Sequence, residues 1–120
     1  MNYSSREPWI KVDSTEYMGR GLVACEPIKR GTRLFVAEVI KVPTHEIIGT
    51  LVEKYVFGYD QKFSAIALGL GSLFNHSATP NVEARYKYVD KRWLLEFHTT
   101  KNIKANDQLF LNYGRHYEWK

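Results

Sequence analysis

A mostly β, single-domain chain is predicted by three observations. Two stretches rich in Val, Ile, Leu and Phe, Arg20–Cys25 and Arg33–Val42, are separated by Pro27 and Gly31, which reads as strand, turn, strand. A second pair, Asn81–Val89 and Arg92–Thr100, flanks the short polar turn Asp90-Lys91 and should form an antiparallel hairpin. No alternation of long strands with long helices appears, which argues against a doubly wound nucleotide-binding fold. At 120 residues the chain fits one domain and is long enough to bury a core.

Along the chain, Met1 to Pro8 is polar and lacks the apolar core of a signal peptide. In Gly19-Arg20-Gly21 the glycines suit a turn or bulge where backbone takes a positive φ or approaches a neighbour closely. A strand pattern, not a helix, comes after Gly21, so this pair is no dinucleotide fingerprint. Cys25 adjoins Leu22-Val23-Ala24 and is expected to pack as a small hydrophobe. Thr44 could cap a helix, and Ile48, Val52 and Val56 recur four apart, as do Ile47, Leu51 and Tyr55. A short helix over Glu46–Lys54 is therefore expected, against the opposing influence of Gly49 and the β-branched residues. Ser64–Gly71 is small and apolar, which suggests tightly packed backbone. On the second strand of the hairpin, Trp93, Leu95 and Phe97 share one face because side chains alternate.

Composition bounds the chemistry. Cys25 is the only cysteine, so neither an internal disulfide nor a Cys-rich zinc site can form within one chain. His45, His76, His98 and His116 have no metal-ligand spacing, which argues against a metalloenzyme. Eight tyrosines suit a β-rich core, a stacking surface or an aromatic-lined pocket, with the core as default. A net charge of +4 is too modest to identify a partner. No apolar run approaches the roughly 18–20 residues needed to cross a bilayer, and the chain reads as soluble and intracellular.

Two segments carry the functional reading. Asn75-His76-Ser77-Ala78-Thr79-Pro80-Asn81 comes after Leu73-Phe74 and puts three hydrogen-bonding side chains at the mouth of a core. The bland alternative is a turn with a satisfied, buried histidine. Asp107-Gln108-Leu109-Phe110-Leu111-Asn112-Tyr113-Gly114 is an apolar strand that ends in a tyrosine, so the phenol sits at a strand terminus. Its alternative is a core aromatic whose hydroxyl finds a carbonyl.

In this order, Gly19-Arg20-Gly21, the Asn75–Asn81 run and the strand ending Asn112-Tyr113-Gly114 resemble the SET-domain family of lysine methyltransferases, from about Trp9 to Trp119. The length and the run Leu51–Phe57 look similar to the minimal viral and bacterial SET domains. The resemblance implies a β-clip-like fold of several short antiparallel sheets, with little helix and a knot-like threading of the C-terminal strand. It implies a single SET domain over residues 1–120, without zinc-binding segments around it. It also implies S-adenosylmethionine as cofactor, contacted by backbone at Gly19, Arg20 and Gly21. Asn75 would lie near the methionyl amino group, His76 near the adenine, and Trp119 over the adenine. Tyr113 would be the catalytic tyrosine where the methyl-donating sulfur meets the lysine nitrogen. Tyr55 and Tyr117 are the candidate walls of the lysine channel. Leu111, two positions before the tyrosine, lacks the hydroxyl that restricts the amine, which leans the product towards di- or trimethyllysine.

That chemistry makes physical demands. Free lysine has a pKa of about 10.4 and must lose its proton before attacking a methyl group. A narrow aromatic channel disfavours the ammonium and fixes nitrogen and methyl at roughly 3–3.5 Å. The implied partner is a lysine-containing protein or peptide of the histone-tail class, with no membrane and no required nucleic acid. A homodimer is compatible, as is a host nucleus for a viral chain. Two positions depart from the family's pattern: Gln108 stands where an acid is usual, and Asn112 where aspartate is commoner. The competing reading is a non-catalytic basic, aromatic β domain that holds single-stranded nucleic acid or a peptide. It accounts for the charge and the tyrosines but not for the Asn-His-Ser run.

Overall fold

The computed structural model describes residues 9–15 and 19–112, and among them strands dominate. One sheet joins β1 (Ile10–Thr15), β2 (Gly19–Ala24), β9 (Gln108–Leu111) and β6 (Asn75–His76), in the order β1-β2-β9-β6. The other joins β4 (Phe57–Gly58), β5 (Phe63–Ala67), β3 (Arg33–Pro43), β8 (Arg92–Thr99) and β7 (Val82–Val89), in the order β4-β5-β3-β8-β7. The mostly β expectation holds. The only helical pieces among the described residues are 3-10 turns at Thr44–Glu46, Leu51–Tyr55 and Gly69–Ser72. No described helix is long and apolar enough to cross a membrane.

The predicted hairpin forms. β7 and β8 pair antiparallel from Val82↔Thr99 to Val89↔Arg92. Asp90 and Lys91 both take positive φ, 52° and 65°, which is the backbone a two-residue turn needs to match strand twist. On β8, Leu95 and Phe97 are fully buried, while Trp93 lies on the same face at the sheet end and stays partly exposed. The Phe97 ring lies 5.0 Å from that of Phe35 and 4.9 Å from that of Phe74, so the core is centred on it. Leu22, Leu109 and Leu111 belong to the same cluster and carry it across to the other sheet. Burying each such side chain contributes roughly 1.5–3 kcal/mol.

Three expectations are corrected. The helix over Glu46–Lys54 is instead two 3-10 turns, interrupted where Gly49 takes φ 83°. Its apolar spacing finds too little core to cover it: only Ile47 and Val56 are buried, while Ile48, Leu51, Val52 and Tyr55 are exposed. Thr44 does not cap it: its hydroxyl lies 2.8 Å from that of Ser64. Cys25 is exposed, because β2 ends at buried Ala24 and the Cys25 N–H turns away to donate to the Trp9 carbonyl. The strands expected at Arg20–Cys25 and Arg33–Val42 do form, as β2 and β3, but they sit in different sheets, and the segment between them is tied by a bridge from Ile28 to Ile103.

On the outer face of β8, Glu96 lies 3.1 Å from His98, 3.3 Å from Lys87 and 3.5 Å from Arg33. The hydrogen bond from His98 holds its carboxyl below the ordinary range, and Lys87 and Arg33 add to this against partial burial.

β9 has a full neighbour on neither side. It meets β2 at Leu22↔Leu109 and Val23↔Gln108, and meets β6 in parallel at Asn75↔Phe110 and His76↔Leu111. Asn81 completes the ladder with its side chain. Its Oδ1 accepts from the Phe110 N–H at 2.8 Å, and its Nδ2 donates to the Gln108 carbonyl at 3.0 Å. A side-chain amide thus stands in for one residue of a missing strand. Asn81→Ala leaves both main-chain groups without that partner and should lower unfolding free energy by about 2–3 kcal/mol. Urea unfolding measures it, and a loss below about 0.5 kcal/mol would mean that water satisfies β9 equally well.

Candidate active site

The site lies where three distant segments meet. β2 begins at Gly19 with φ +70°, a conformation that glycine adopts without steric cost. Arg20 is next, exposed, opposite Ser14, and Gly21 is buried within the same ladder opposite Asp13. The second segment is the 3-10 turn ending at Tyr55. The third runs from Ser72, whose hydroxyl donates to the Ala67 carbonyl, through Leu73 and Phe74 to Asn75 at the start of β6. Gly19, Arg20, Tyr55 and this third segment line one pocket of about 390 Å³.

Asn75 is the polar group whose orientation is determined. Its Nδ2 donates to the Arg20 carbonyl at 3.2 Å and to Gln108 Oε1 at 2.6 Å. A main-chain carbonyl only accepts, so the amide nitrogen must face Arg20 and cannot exchange places with the oxygen. Both amide hydrogens are thereby committed. Asn75 Oδ1 has no protein partner among the described residues, which leaves an acceptor for a donor from outside.

Of the residues expected from sequence, Gly19, Arg20, Tyr55 and Asn75 converge on this pocket, although up to 56 positions separate them. Gly21 serves the ladder and does not line it. His76 is exposed beside β9, and Leu111 is fully buried in the core cluster; neither lines this pocket. The cause is the alternation of β9, which turns Leu109 and Leu111 inward. Tyr113, Tyr117 and Trp119 lie outside the described residues. Sequence reasoning missed Ser72, Leu73 and Phe74 as wall residues, and Gln108 as the partner of Asn75. Leu73 and Phe74 were legible only as the apolar lead-in to Asn75, and Ser72 carried no signal.

A larger hollow of about 590 Å³ lies between Pro27–Arg30 and Asn102–Ile103. It is at the other end of β2 and β9 and gathers none of the candidate residues, so the smaller pocket is the better candidate despite its size.

Solved structures identify the class of fold. A crystal structure of a candidate histone methyltransferase of Plasmodium falciparum superposes with a TM-score of 0.75 at 23% identity, covering 92% of this chain and 96% of that one. The Chaetomium thermophilum Polycomb Repressive Complex 2 bound to S-adenosylmethionine gives 0.72 at 23% identity, over 90% of this chain and 15% of that one. The architecture is thus one that methyltransferase domains share. Among curated proteins, the Schizosaccharomyces pombe histone-lysine N-methyltransferase specific for H3 lysine-37 is 32% identical over 111 residues, which is 89% of this chain and 74% of that protein. Residues 19–114 match the SET domain family. The chain belongs to the SET-domain family.

Proposed function

We propose that this chain is an S-adenosylmethionine-dependent protein-lysine N-methyltransferase acting on a lysine-bearing segment of the histone-tail class. The observation that carries the reading is Asn75, held by Arg20 and Gln108 with its acceptor left over, in the wall of a pocket that Gly19 also lines. The residues present fit the cofactor. The pocket volume falls among small-molecule sites, which span roughly 300–1,000 Å³. A lone carbonyl-type oxygen suits the ammonium of an amino-acid moiety. Nothing stands within 4 Å of where a Gly19 Cβ would be, so a ligand can approach the main chain there. The cofactor, when bound, supplies a methyl group activated on a sulfonium.

The chain's own groups do the rest. Asn75 holds the amino end, the backbone at Gly19 and Arg20 flanks it, and His76 and Trp119 take the adenine side. Tyr55 and Tyr117 wall the lysine channel, excluding water and so favouring the neutral amine. Tyr113 orients that amine at the strand end. The substrate class rests on the relatives, which are named histone-lysine methyltransferases.

Calorimetric titration with S-adenosylhomocysteine tests the reading before any substrate is known. Binding near one per chain is expected, weakened roughly 10–100-fold in Asn75→Ala through loss of a charge-assisted hydrogen bond. A wild-type protein that binds nothing, alone or with a pool of lysine-containing peptides, would end the enzyme reading.

A further inference from the structure

We infer that Gln108 is a positioning residue, which acts through Asn75 to make the site selective for ligands that carry an amino-acid ammonium group. The inference rests on the cofactor reading of the same pocket. Gln108 is half-buried and does not line the pocket; it stands behind Asn75, and its Oε1 takes the Asn75 amide hydrogen at 2.6 Å. That is the shorter of the two bonds holding the amide, the other being 3.2 Å to the Arg20 carbonyl. Without Gln108, Asn75 keeps a single longer tether, and its side chain can rotate and withdraw the oxygen. With Gln108 in place, one amide hydrogen answers each acceptor and the oxygen is held ready for a ligand's donor.

The geometry also explains why the residue at 108 must offer an acceptor. The Arg20 carbonyl forces nitrogen towards itself, so the group opposite Asn75 has to present oxygen. Gln108 is kept still by its own backbone, since its carbonyl accepts from Asn81 Nδ2 at 3.0 Å. Two asparagines of the 75–81 segment therefore grip one residue of β9, Asn81 at the main chain and Asn75 at the side chain. The first secures the strand and the second is secured by it.

The test compares two ligands on the full chain. S-adenosylhomocysteine carries the amino-acid end, whereas 5′-methylthioadenosine has the same nucleoside and sulfur without it. Gln108→Met, similar in length but without an acceptor, should bind S-adenosylhomocysteine roughly 3–10-fold more weakly and methylthioadenosine as tightly as wild type. Gln108→Glu keeps an obligate acceptor and should retain the preference. In an Asn75→Ala background, Gln108→Met should change neither affinity. Equal weakening for both ligands would reduce Gln108 to a structural residue, and no weakening for either would overturn the inference. Should Gln108→Met fail to fold, a folded Gln108→Glu protein without the preference overturns it as well. A wild-type chain that binds neither ligand removes the cofactor reading itself, a result distinct from all of these.

Discussion

Tyr113→Phe should cut methyl transfer to a lysine peptide by at least 100-fold while leaving the affinity for S-adenosylhomocysteine within about twofold. The reacting amine must be neutral, free of water and in line with the bond being broken. Most of the available rate gain lies in that alignment, because holding two reactants in the right geometry removes a large entropic cost. On the proposed reading, a phenol oxygen at the channel end orients the amine by a hydrogen bond; phenylalanine keeps the ring and loses the bond. The strand leading to this position is well secured. Leu111 accepts from the Ser77 N–H at 2.9 Å, and the Phe110 N–H is held by Asn81 at 2.8 Å.

Single-turnover rates and calorimetry on the same variant separate the two quantities. Loss confined to the chemical step marks an interaction made in the transition state. Equal loss of turnover and of cofactor affinity would instead mark Tyr113 as a structural aromatic, and the orienting role would have to be given up.

What could be read in the sequence divides by the range of the interaction involved. The Asp90-Lys91 hairpin was legible because two flanking β patterns and a two-residue polar turn are local information. Asn75 was legible because Asn-His-Ser-x-x-Pro-Asn is specific and lies at the end of an apolar run. The partners of β2 were not: it pairs with β9, some 85 positions away, and no local pattern distinguishes that strand from the nearer β3. The short helix failed because a four-residue apolar spacing predicts a helix only where a core waits to cover it. Ile48 and Leu51 found none, and Gly49 gave the chain a place to turn. Gln108 could be seen as a departure from pattern but not as a support for Asn75, since the two are 33 positions apart and meet only through the parallel pairing of β6 and β9. Asn81 belonged to the recognised motif, yet its use as a strand substitute depends on which backbone atoms of β9 lie across from it.

Gly71→Ala should destabilise the fold by about 1–3 kcal/mol, and Gly71→Val by more, although alanine is ordinarily the gentler residue in a turn of helix. The reason is space. A Cβ at residue 71 would stand 2.8 Å from the Ala67 Cβ, 3.2 Å from the Ala37 Cβ and 3.3 Å from the Phe97 ring. The nearest of these is a methyl carbon fixed directly to the backbone of β5, so relief requires strands to move rather than a side chain to swing aside. The Phe97 ring is equally committed, being packed against both Phe35 and Phe74 in a buried core. Ala37 and Ala67 are therefore part of one arrangement in which the turn at Gly69–Ser72 lies flat on the sheet. That turn leads straight into Ser72, Leu73, Phe74 and Asn75, which line the pocket. Lifting it by a few tenths of an ångström should move the Asn75 amide relative to Arg20 and Gln108, so the variant should also bind S-adenosylhomocysteine more weakly at temperatures where it remains folded. Thermal unfolding and calorimetry on the same protein check both parts. A stable Gly71→Ala chain with unchanged affinity would mean that the sheet yields freely at β5, and the rigid link between core packing and the site would be lost.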